Sequence, residues 1–253
     1  MPRHSVMKHL INRDNIGLVF NRNVQIDFAH ALISDNVIDL HVLETGLKGA
    51  YLAPLYIYPD EQKEDIFASD EREYNIASGL LDRFSRQWPQ FQPEQLFYYV
   101  YAVLHSNQYR ARFAQYLRMD FPRLPFTDDY QLFTRLAEMG KELAGIHLLK
   151  SPRLNPPVAR YQGGGSNDLV ESIRYDERKH TVRINPDKHF EGITPELWNY
   201  HIGGYQVLHK YLKDRRGKTL SDPIHYCRMA TALHLTIETQ AAIDKEMGDL
   251  LDR

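Results

Sequence analysis

Five basic side chains fall within nine consecutive positions of the C-terminal part of the chain, with a single acid, Asp214, among them. They are Lys210, Lys213, Arg215, Arg216 and Lys218. Ammonium and guanidinium groups at this density, near the end of a helix, can neutralise the phosphates of a nucleic acid. The alternative is structural, because cations near a helix C-terminus interact favourably with the helix dipole and solubilise the surface. The pattern makes these five residues candidates for phosphate contacts.

A second set of side chains has the chemistry needed to read bases. Arginine can bind guanine, and the amides of Asn and Gln can bind adenine, when a loop presents them to a groove. Arg22, Asn23 and Gln25 follow the apolar run 16–20 and fit that need. An ordinary β-turn would also explain them, since turns favour Asn. The next candidates lie in the region 150–192 and are Arg153, Arg160, Gln162 and Asn167.

Two short motifs could indicate catalysis. Asp168 with Glu177 and Lys179 has the residue types of a metal-dependent nuclease, in which carboxylates hold Mg²⁺ and a lysine stabilises charge. A charged hairpin turn at 176–179 explains the same residues without chemistry. Asn155-Pro-Pro-Val is similar to the Asn-Pro-Pro-Tyr signature of adenine methyltransferases, whose aromatic residue stacks on a flipped adenine. Valine replaces that aromatic residue here, which favours a proline-rich connector.

Other catalytic signatures are missing from the sequence. It contains no His-Glu-x-x-His pattern, no Cys/His cluster, no phosphate-binding Gly-rich loop and no nucleophile elbow. Cys227 has apolar neighbours and is expected to be an inert buried thiol. We therefore expect no catalytic residue, no metal site and no cofactor in this chain.

Several longer segments resemble the C-terminal part of type ISP restriction-modification polypeptides, and together they cover most of the chain. These polypeptides combine nuclease, helicase-like ATPase, adenine methyltransferase and target recognition in one chain. The segments are Asn-Ile-Gly-Leu-Val at 15–19, Ala-Pro-Leu-Tyr at 53–56, Tyr-Ala-Val-Leu-His-Ser at 101–106, Tyr-Arg-Ala-Arg-Phe at 109–113, Asp-Phe-Pro-Arg-Leu-Pro at 120–125, Leu-Ala-Glu-Met-Gly-Lys-Glu-Leu at 136–143, His-Leu-Leu at 147–149, and the run from Ile202 to Arg215.

The resemblance implies the target-recognition domain alone, a non-catalytic reader of DNA sequence that belongs to a bacterial adenine methyltransferase. Its partners would be double-stranded DNA and the methyltransferase domain of the same or a partner polypeptide. S-adenosylmethionine, Mg²⁺ and ATP would bind only to the other domains of the parent enzyme. The alternative is a coupling module that docks onto a methyltransferase or helicase domain. A third hypothesis, an independent nuclease, depends on Asp168, Glu177 and Lys179 alone.

Composition limits these alternatives. The formal net charge of −2 does not favour simple electrostatic binding of DNA, and it favours the coupling module. A single cysteine permits no internal disulfide and indicates a reducing compartment. No apolar run is long enough to span a bilayer, and the N-terminus lacks the apolar core of a signal peptide. We therefore expect a cytoplasmic protein without a membrane partner.

The order of the predicted elements indicates an α+β fold. Apolar runs at 16–20, 24–33, 37–43 and 51–58 predict short strands, which makes 1–60 a β-rich recognition part. A central helical scaffold is predicted over 74–149, with Ser106 as a cap between two helices. Residues 150–192 read as a loop with a small β-hairpin insertion, and 194–253 as C-terminal helices that start at Thr194-Pro195 and at Ser221-Asp222-Pro223. All four parts are interpreted as one integrated domain.

Overall fold

The structure is a computed structural model that describes residues 4–22, 24, 28, 31–39, 42–43, 49–59 and 72–251. Its residues form two compact units. Unit 1 comprises Met1–Ala144 and Gln240–Arg253, and unit 2 comprises Gly145–Thr239. Helices and small antiparallel sheets occur in both units, which confirms the predicted α+β class. In the part of the chain that the structure describes, no helix is long and apolar enough to cross a membrane.

Unit 1 begins with short strands. After the helix α1 (His4–Met7), three antiparallel strands pair in the order β2-β1-β3. They are β1 (Gly17–Phe20), β2 (Ala31–Ser34) and β3 (Tyr51–Pro54), and a ribbon of β4 (Tyr56–Ile57) and β5 (Glu73–Tyr74) follows. The buried side chain of Asn15 ties these segments together, because its amide donates to the carbonyls of His9 and Tyr56 at 2.8 Å each.

One predicted strand of this region is not found in the part of the chain that the structure describes. The run 37–43 has no strand in its described residues, 37–39 and 42–43. Ile38 and Leu43 are nevertheless buried, and they form a small apolar cluster with Met7 and Val19. For the described residues the prediction was wrong, because irregular chain can bury single apolar side chains such as these without a strand partner.

The scaffold of unit 1 is helical. It contains α2 (Ser78–Gln87), α3 (Pro93–His105), α4 (Asn107–Arg112), α5 (Ala114–Met119) and most of α6 (Tyr130–His147). Ser106 caps α4 as predicted, since its hydroxyl accepts from the amide of Tyr109 at 3.1 Å. Phe133 lies at the aromatic centre of the scaffold, with its ring centroid 5.5 Å from that of Phe84 and 4.9 Å from that of Tyr99.

Unit 2 contains a four-stranded antiparallel sheet in the order β6-β9-β8-β7. Its strands are β6 (Arg160–Gln162), β7 (Arg174–Asp176), β8 (Thr181–Arg183) and β9 (His189–Glu191). The predicted hairpin corresponds to β7 and β8, and the pairing of β6 and β9 with it was not predicted.

The remaining elements of unit 2 are mainly helical. They are α7 (Pro195–Trp198), a ribbon of β10 (His201–Ile202) and β11 (Tyr205–Gln206), α8 (Val207–Lys213) and the first part of α9 (Pro223–Leu251). Thr194 caps α7 by accepting from the Leu197 amide at 3.4 Å. Asp222 accepts from the His225 amide at 3.0 Å at the start of α9. These two caps lie where the sequence predicts helix starts.

Gly140 provides a test of the scaffold. In α6 it lies so close to α3 that an added Cβ atom would overlap the carbonyl oxygen of Tyr98. We expect Gly140→Ala to lower the free energy of unfolding by about 1–3 kcal/mol, because overpacking against backbone outweighs the gain in helix propensity. Urea unfolding followed by far-UV circular dichroism measures this change.

The matched control is Gly79→Ala in the first turn of α2, where an added Cβ atom meets no other atom within 4 Å. That variant should be neutral or more stable by roughly 0.4–1 kcal/mol, since alanine restricts the unfolded chain. Equal unfolding midpoints for the two variants would contradict the close packing of α3 and α6.

Candidate nucleic-acid interface

The four-stranded sheet of unit 2 has one buried face and one exposed face. Successive side chains of a strand point to opposite faces. The central residue of each strand points into the core, and these residues pair in register across the sheet. In the order β6-β9-β8-β7 they are Tyr161, Phe190, Val182 and Tyr175. The flanking residues of every strand therefore point outward.

Two rows of polar side chains occupy the exposed face. One row, which we call the donor row, consists of Gln162, His189, Arg183 and Arg174, in register across the four strands. The second row consists of Arg160, Glu191, Thr181 and Asp176. The donor row spans about 14 Å, because neighbouring strands lie about 4.8 Å apart. It places hydrogen-bond donors from four strands on one surface.

The electrostatics of the donor row are unfavourable for the fold. Arg174 and Arg183 are directly opposite each other on β7 and β8. Like charges in this position destabilise a sheet by roughly 0.2–1 kcal/mol. Arg183 donates to the carbonyl of Pro186 at 2.7 Å, and among the described residues neither arginine pairs with a carboxylate. An anion bound over the row would relieve this repulsion.

The structure brings together two of the four base-reading candidates from the region 150–192. Arg160 and Gln162 lie on the exposed face of the sheet. Arg153 instead lies 3.4 Å from Glu238, and both side chains belong to unit 2. The side chain of Asn167 shapes its own turn, since its oxygen accepts from the Leu169 amide at 3.0 Å.

Sequence reasoning missed three residues of the donor row. Arg174 and Arg183 belong to the predicted hairpin, and alternation about the apolar residue Val182 would have identified Arg183. Arg174 could have been found in the same way, because it pairs with Arg183. His189 was missed as well, although it flanks the buried apolar residue Phe190 on β9 in the same way that Arg183 flanks Val182 on β8.

The predicted basic cluster spans the last turn of α8 and the residues that follow it in unit 2. The ammonium group of Lys210 lies 2.6 Å from the carboxylate of Asp214, and this hydrogen bond is the main cause of the lowered pKa of Asp214. Arg215 stacks on the ring of Tyr211, with 3.6 Å between the guanidinium carbon and the ring centroid. Arg216 donates to the carbonyl of Glu171 at 3.3 Å.

The two remaining cations of the cluster, Lys213 and Lys218, are exposed. Neither lysine has a side-chain hydrogen bond or ion pair among the described residues. Lys210 and Arg215 are held by Asp214 and Tyr211, respectively. The part that is freely available for phosphates is therefore smaller than the sequence suggests.

In unit 1, Arg22 follows β1 as predicted, with its side chain about half exposed. Its Nε donates to Oδ1 of Asp120 at 2.9 Å, and its guanidinium lies 5.4 Å from the ring centroid of Phe121. The other two candidates of this loop, Asn23 and Gln25, lie outside the described residues.

Of the three residues of the nuclease hypothesis, Asp168 has a side-chain partner, whereas Glu177 and Lys179 lie in the hairpin turn. Asp168 accepts from the hydroxyl of Tyr161 at 2.7 Å. The side chain of Asp176 accepts from the amides of Arg178 and Lys179 at 3.1 Å each, which stabilises the hairpin turn. Among the described residues, no group of three or more His, Cys, Asp or Glu side chains could hold a metal ion.

The other two chemical motifs also have structural roles. Asn155 begins an exposed connector, and the amide of Val158 in that connector donates to the hydroxyl of Thr231 at 3.0 Å. Cys227 is buried, and burial raises the pKa of its thiol from 9.0 to about 11. A thiol with that pKa is almost entirely protonated at neutral pH and is therefore a poor nucleophile.

Comparison with known families identifies the chain. The model of the Type ISP C-terminal specificity domain matches residues 1–239. The chain belongs to this family. No curated protein sequence matches it.

Solved structures with the same fold include three restriction-modification or DNA-bound proteins. The Type ISP restriction-modification enzyme LlaBIII bound to DNA has a TM-score of 0.69 and 20% identity over 93% of this chain. The DrdV–DNA complex has a TM-score of 0.68 and 22% identity over 97% of this chain. A nuclease-deletion mutant of the Type ISP enzyme LlaGI in complex with a DNA substrate mimic has a TM-score of 0.62 and 21% identity over 92% of this chain. The chain spans 16%, 25% and 18% of these three proteins, respectively.

Proposed function

We propose that this chain is the sequence-specific DNA recognition module of a restriction-modification adenine DNA methyltransferase. Membership of the Type ISP specificity-domain family supports this function. So do the three similar structures, since each is a complex with DNA or a DNA mimic. The chain itself acts by positioning and carries out no chemical step.

The observation that carries the proposal is the donor row of unit 2. Arg174 and Arg183 repel each other in the free protein, and double-stranded DNA supplies the negative charge that offsets this repulsion. The row presents guanidinium, amide and imidazole groups, which are the side chains that bind base edges and phosphates. Its length of about 14 Å is close to the width of the DNA major groove, about 12 Å.

Contacts to phosphates and contacts to bases have different roles in this proposal. Lys213 and Lys218 contact the DNA backbone, since both are exposed cations without a carboxylate partner among the described residues. Such contacts fix the register of the protein on DNA but read no sequence. Gln162 and the arginines of the donor row reach base edges and supply discrimination between sites.

Catalysis belongs to other parts of the parent polypeptide in this proposal. A methyltransferase domain binds S-adenosylmethionine and acts on a flipped adenine, and Mg²⁺ and ATP serve the remaining domains. The enzyme works in the bacterial cytoplasm, where its DNA target lies. The purified chain should therefore transfer no methyl group to DNA. Incorporation of a labelled methyl group by the chain alone, in an assay with S-adenosylmethionine, would contradict its non-catalytic role.

A second candidate function is a coupling module that docks onto a methyltransferase or helicase domain. Exposed apolar side chains on α5 favour it, because Tyr116 and Met119 are 66% and 65% exposed. Aromatic and Met side chains are enriched at protein–protein interfaces relative to the rest of the protein surface. The net charge of −2 is also better suited to a protein partner than to DNA.

Arg174→Gln separates the two functions. Removing one of two opposed positive charges should leave the unfolding midpoint unchanged or raise it slightly, by up to about 1 kcal/mol in stability. The same change should weaken DNA binding about tenfold if the lost contact is worth about 1.4 kcal/mol. Fluorescence anisotropy with a labelled duplex measures affinity, and thermal unfolding measures stability.

The control for this experiment is Arg86→Gln on α2, which removes the same charge from another exposed position. It should change neither affinity nor stability appreciably. Equal affinities of the wild type and Arg174→Gln for every duplex would remove the donor row from the interface and favour the coupling module.

The lysines of the α8 cluster give a complementary expectation. Replacing Lys213 and Lys218 with alanine should weaken binding to all duplexes alike. The slope of log affinity against log salt should become shallower by about 0.9 for each lost phosphate contact. Anisotropy titrations at several salt concentrations measure this slope. If the slope is unchanged in the double variant, these lysines only solubilise the end of the helix.

A further inference from the structure

We propose that Arg22 reads a guanine in the major groove of the DNA target and that Asp120 is the positioning residue that aims it. This inference rests on the proposed function of DNA recognition and names one base contact within it. It concerns unit 1 and is independent of the donor row.

The backbone on both sides of Arg22 is held in place by hydrogen bonds. It follows β1, whose pairing on both sides holds the end of the strand in place. The preceding residue, Asn21, is almost completely buried. The amide of Val24 donates to the carbonyl of Arg118 at 3.3 Å, which fixes the chain just beyond Arg22. With the backbone held in this way, the position of the Arg22 guanidinium depends mainly on the rotamer of its side chain.

Aromatic rings restrict those rotamers. The guanidinium of Arg22 lies 5.4 Å from the ring centroid of Phe121, within the range of a cation–π contact. Phe121 in turn packs edge-on against Tyr51 and Phe20, with centroids 5.2 and 5.9 Å apart. Tyr51 and Phe121 remain 38% and 40% exposed, so the arginine rests on a supported aromatic surface that is open to solvent.

Asp120 sets the direction of the guanidinium. Its Oδ1 accepts from Nε of Arg22 at 2.9 Å. Asp120 is itself fixed at the end of α5, where its amide donates to the carbonyl of Tyr116 at 3.2 Å. The amide of Phe121, and then the guanidinium of Arg22, lower the pKa of Asp120 and keep it ionised. The carboxylate thus occupies one edge of the guanidinium and holds it in place.

The occupied edge determines which base fits. With Nε bound to Asp120, the two terminal nitrogens of Arg22 form the free edge, and they make no hydrogen bond within the described residues. Two parallel N–H donors match the two acceptors of guanine, O6 and N7, in the major groove. Adenine offers one acceptor and one donor there and would leave one N–H unpaired.

A purely stabilising role explains this arrangement less well. Exposed ion pairs contribute little to stability, and about half of each side chain in this pair is exposed. A carboxylate near DNA also repels phosphates. Its presence beside an exposed arginine is therefore better explained by orientation than by affinity.

The test is selection from a library of random duplexes by the wild-type chain and by Arg22→Ala, with sequencing of the bound fraction. The wild type should enrich a site that contains guanine at one position where Arg22→Ala shows no preference. Affinity for that site should fall about tenfold or more, with little change for random DNA. Arg22→Lys should not restore the preference, because lysine lacks the paired donors.

Asp120→Ala tests the positioning role. It should weaken the guanine preference at the same position only, and it should have no further effect in the Arg22→Ala background. Asp120→Asn, whose side-chain oxygen still accepts from Nε, should retain more of the preference than Asp120→Ala. The control is Arg83→Ala, which removes an arginine that lies 5.8 Å from the ring of Phe84 in the same unit. It should select the wild-type site.

Three results would overturn the inference. A wild-type chain that enriches no sequence would refute the proposed function and this contact with it. Unchanged selection by Arg22→Ala, with a site still enriched, would refute the contact alone and assign the aromatic surface to a protein partner. An equal loss of affinity for every sequence would make Arg22 a phosphate contact. Circular dichroism of each variant verifies that it is folded.

Discussion

Burial of one row of side chains fixes the geometry of the whole interface in unit 2. Phe190 lies at its centre, with its ring 4.8 Å from that of Tyr161 and 4.2 Å from that of Tyr226. A strand has a side-chain period of two, so a slip of one residue would move every outward group into the core. For β8 that slip would bury Arg183 and expose Val182. The apolar row is therefore what holds the donors of four short strands on one surface.

The partners of the acidic side chains explain how a chain with a net charge of −2 can present a binding surface for DNA. Two acids on the exposed face of the sheet are engaged by local partners. Asp176 accepts from the amides of its own turn, and Glu191 lies 3.1 Å from the ring of His189. Arg174 and Arg183 have no such carboxylate among the described residues. The distribution of partners, rather than the sum of charges, therefore decides where an anion is favoured.

Local signals made much of the fold predictable. Ser106, Thr194 and Asp222 each accept from the amide three residues further on, as helix caps do, and the sequence predicts a helix start at each of these points. The β7–β8 hairpin was predictable for the same reason, because its turn is closed by Asp176. Long-range pairing was not predictable. Strands β6 and β9 pair although β7 and β8 lie between them in the chain, so no single turn in the sequence indicates that they are neighbours.

The candidate site shows the same division between local and distant contacts. Residue type alone selected Arg22, Arg160 and Gln162, because forked and amide side chains are few and their chemistry is specific. What each can do depends on distant partners that the sequence does not reveal. Asp120 is 98 residues from Arg22, yet its single hydrogen bond decides which edge of the guanidinium remains available. The same dependence reduces the role of the α8 cluster, where Asp214 neutralises Lys210 and Tyr211 holds Arg215. A basic residue therefore becomes a reader or a structural cation according to which neighbour occupies its donors, and only the folded chain determines that.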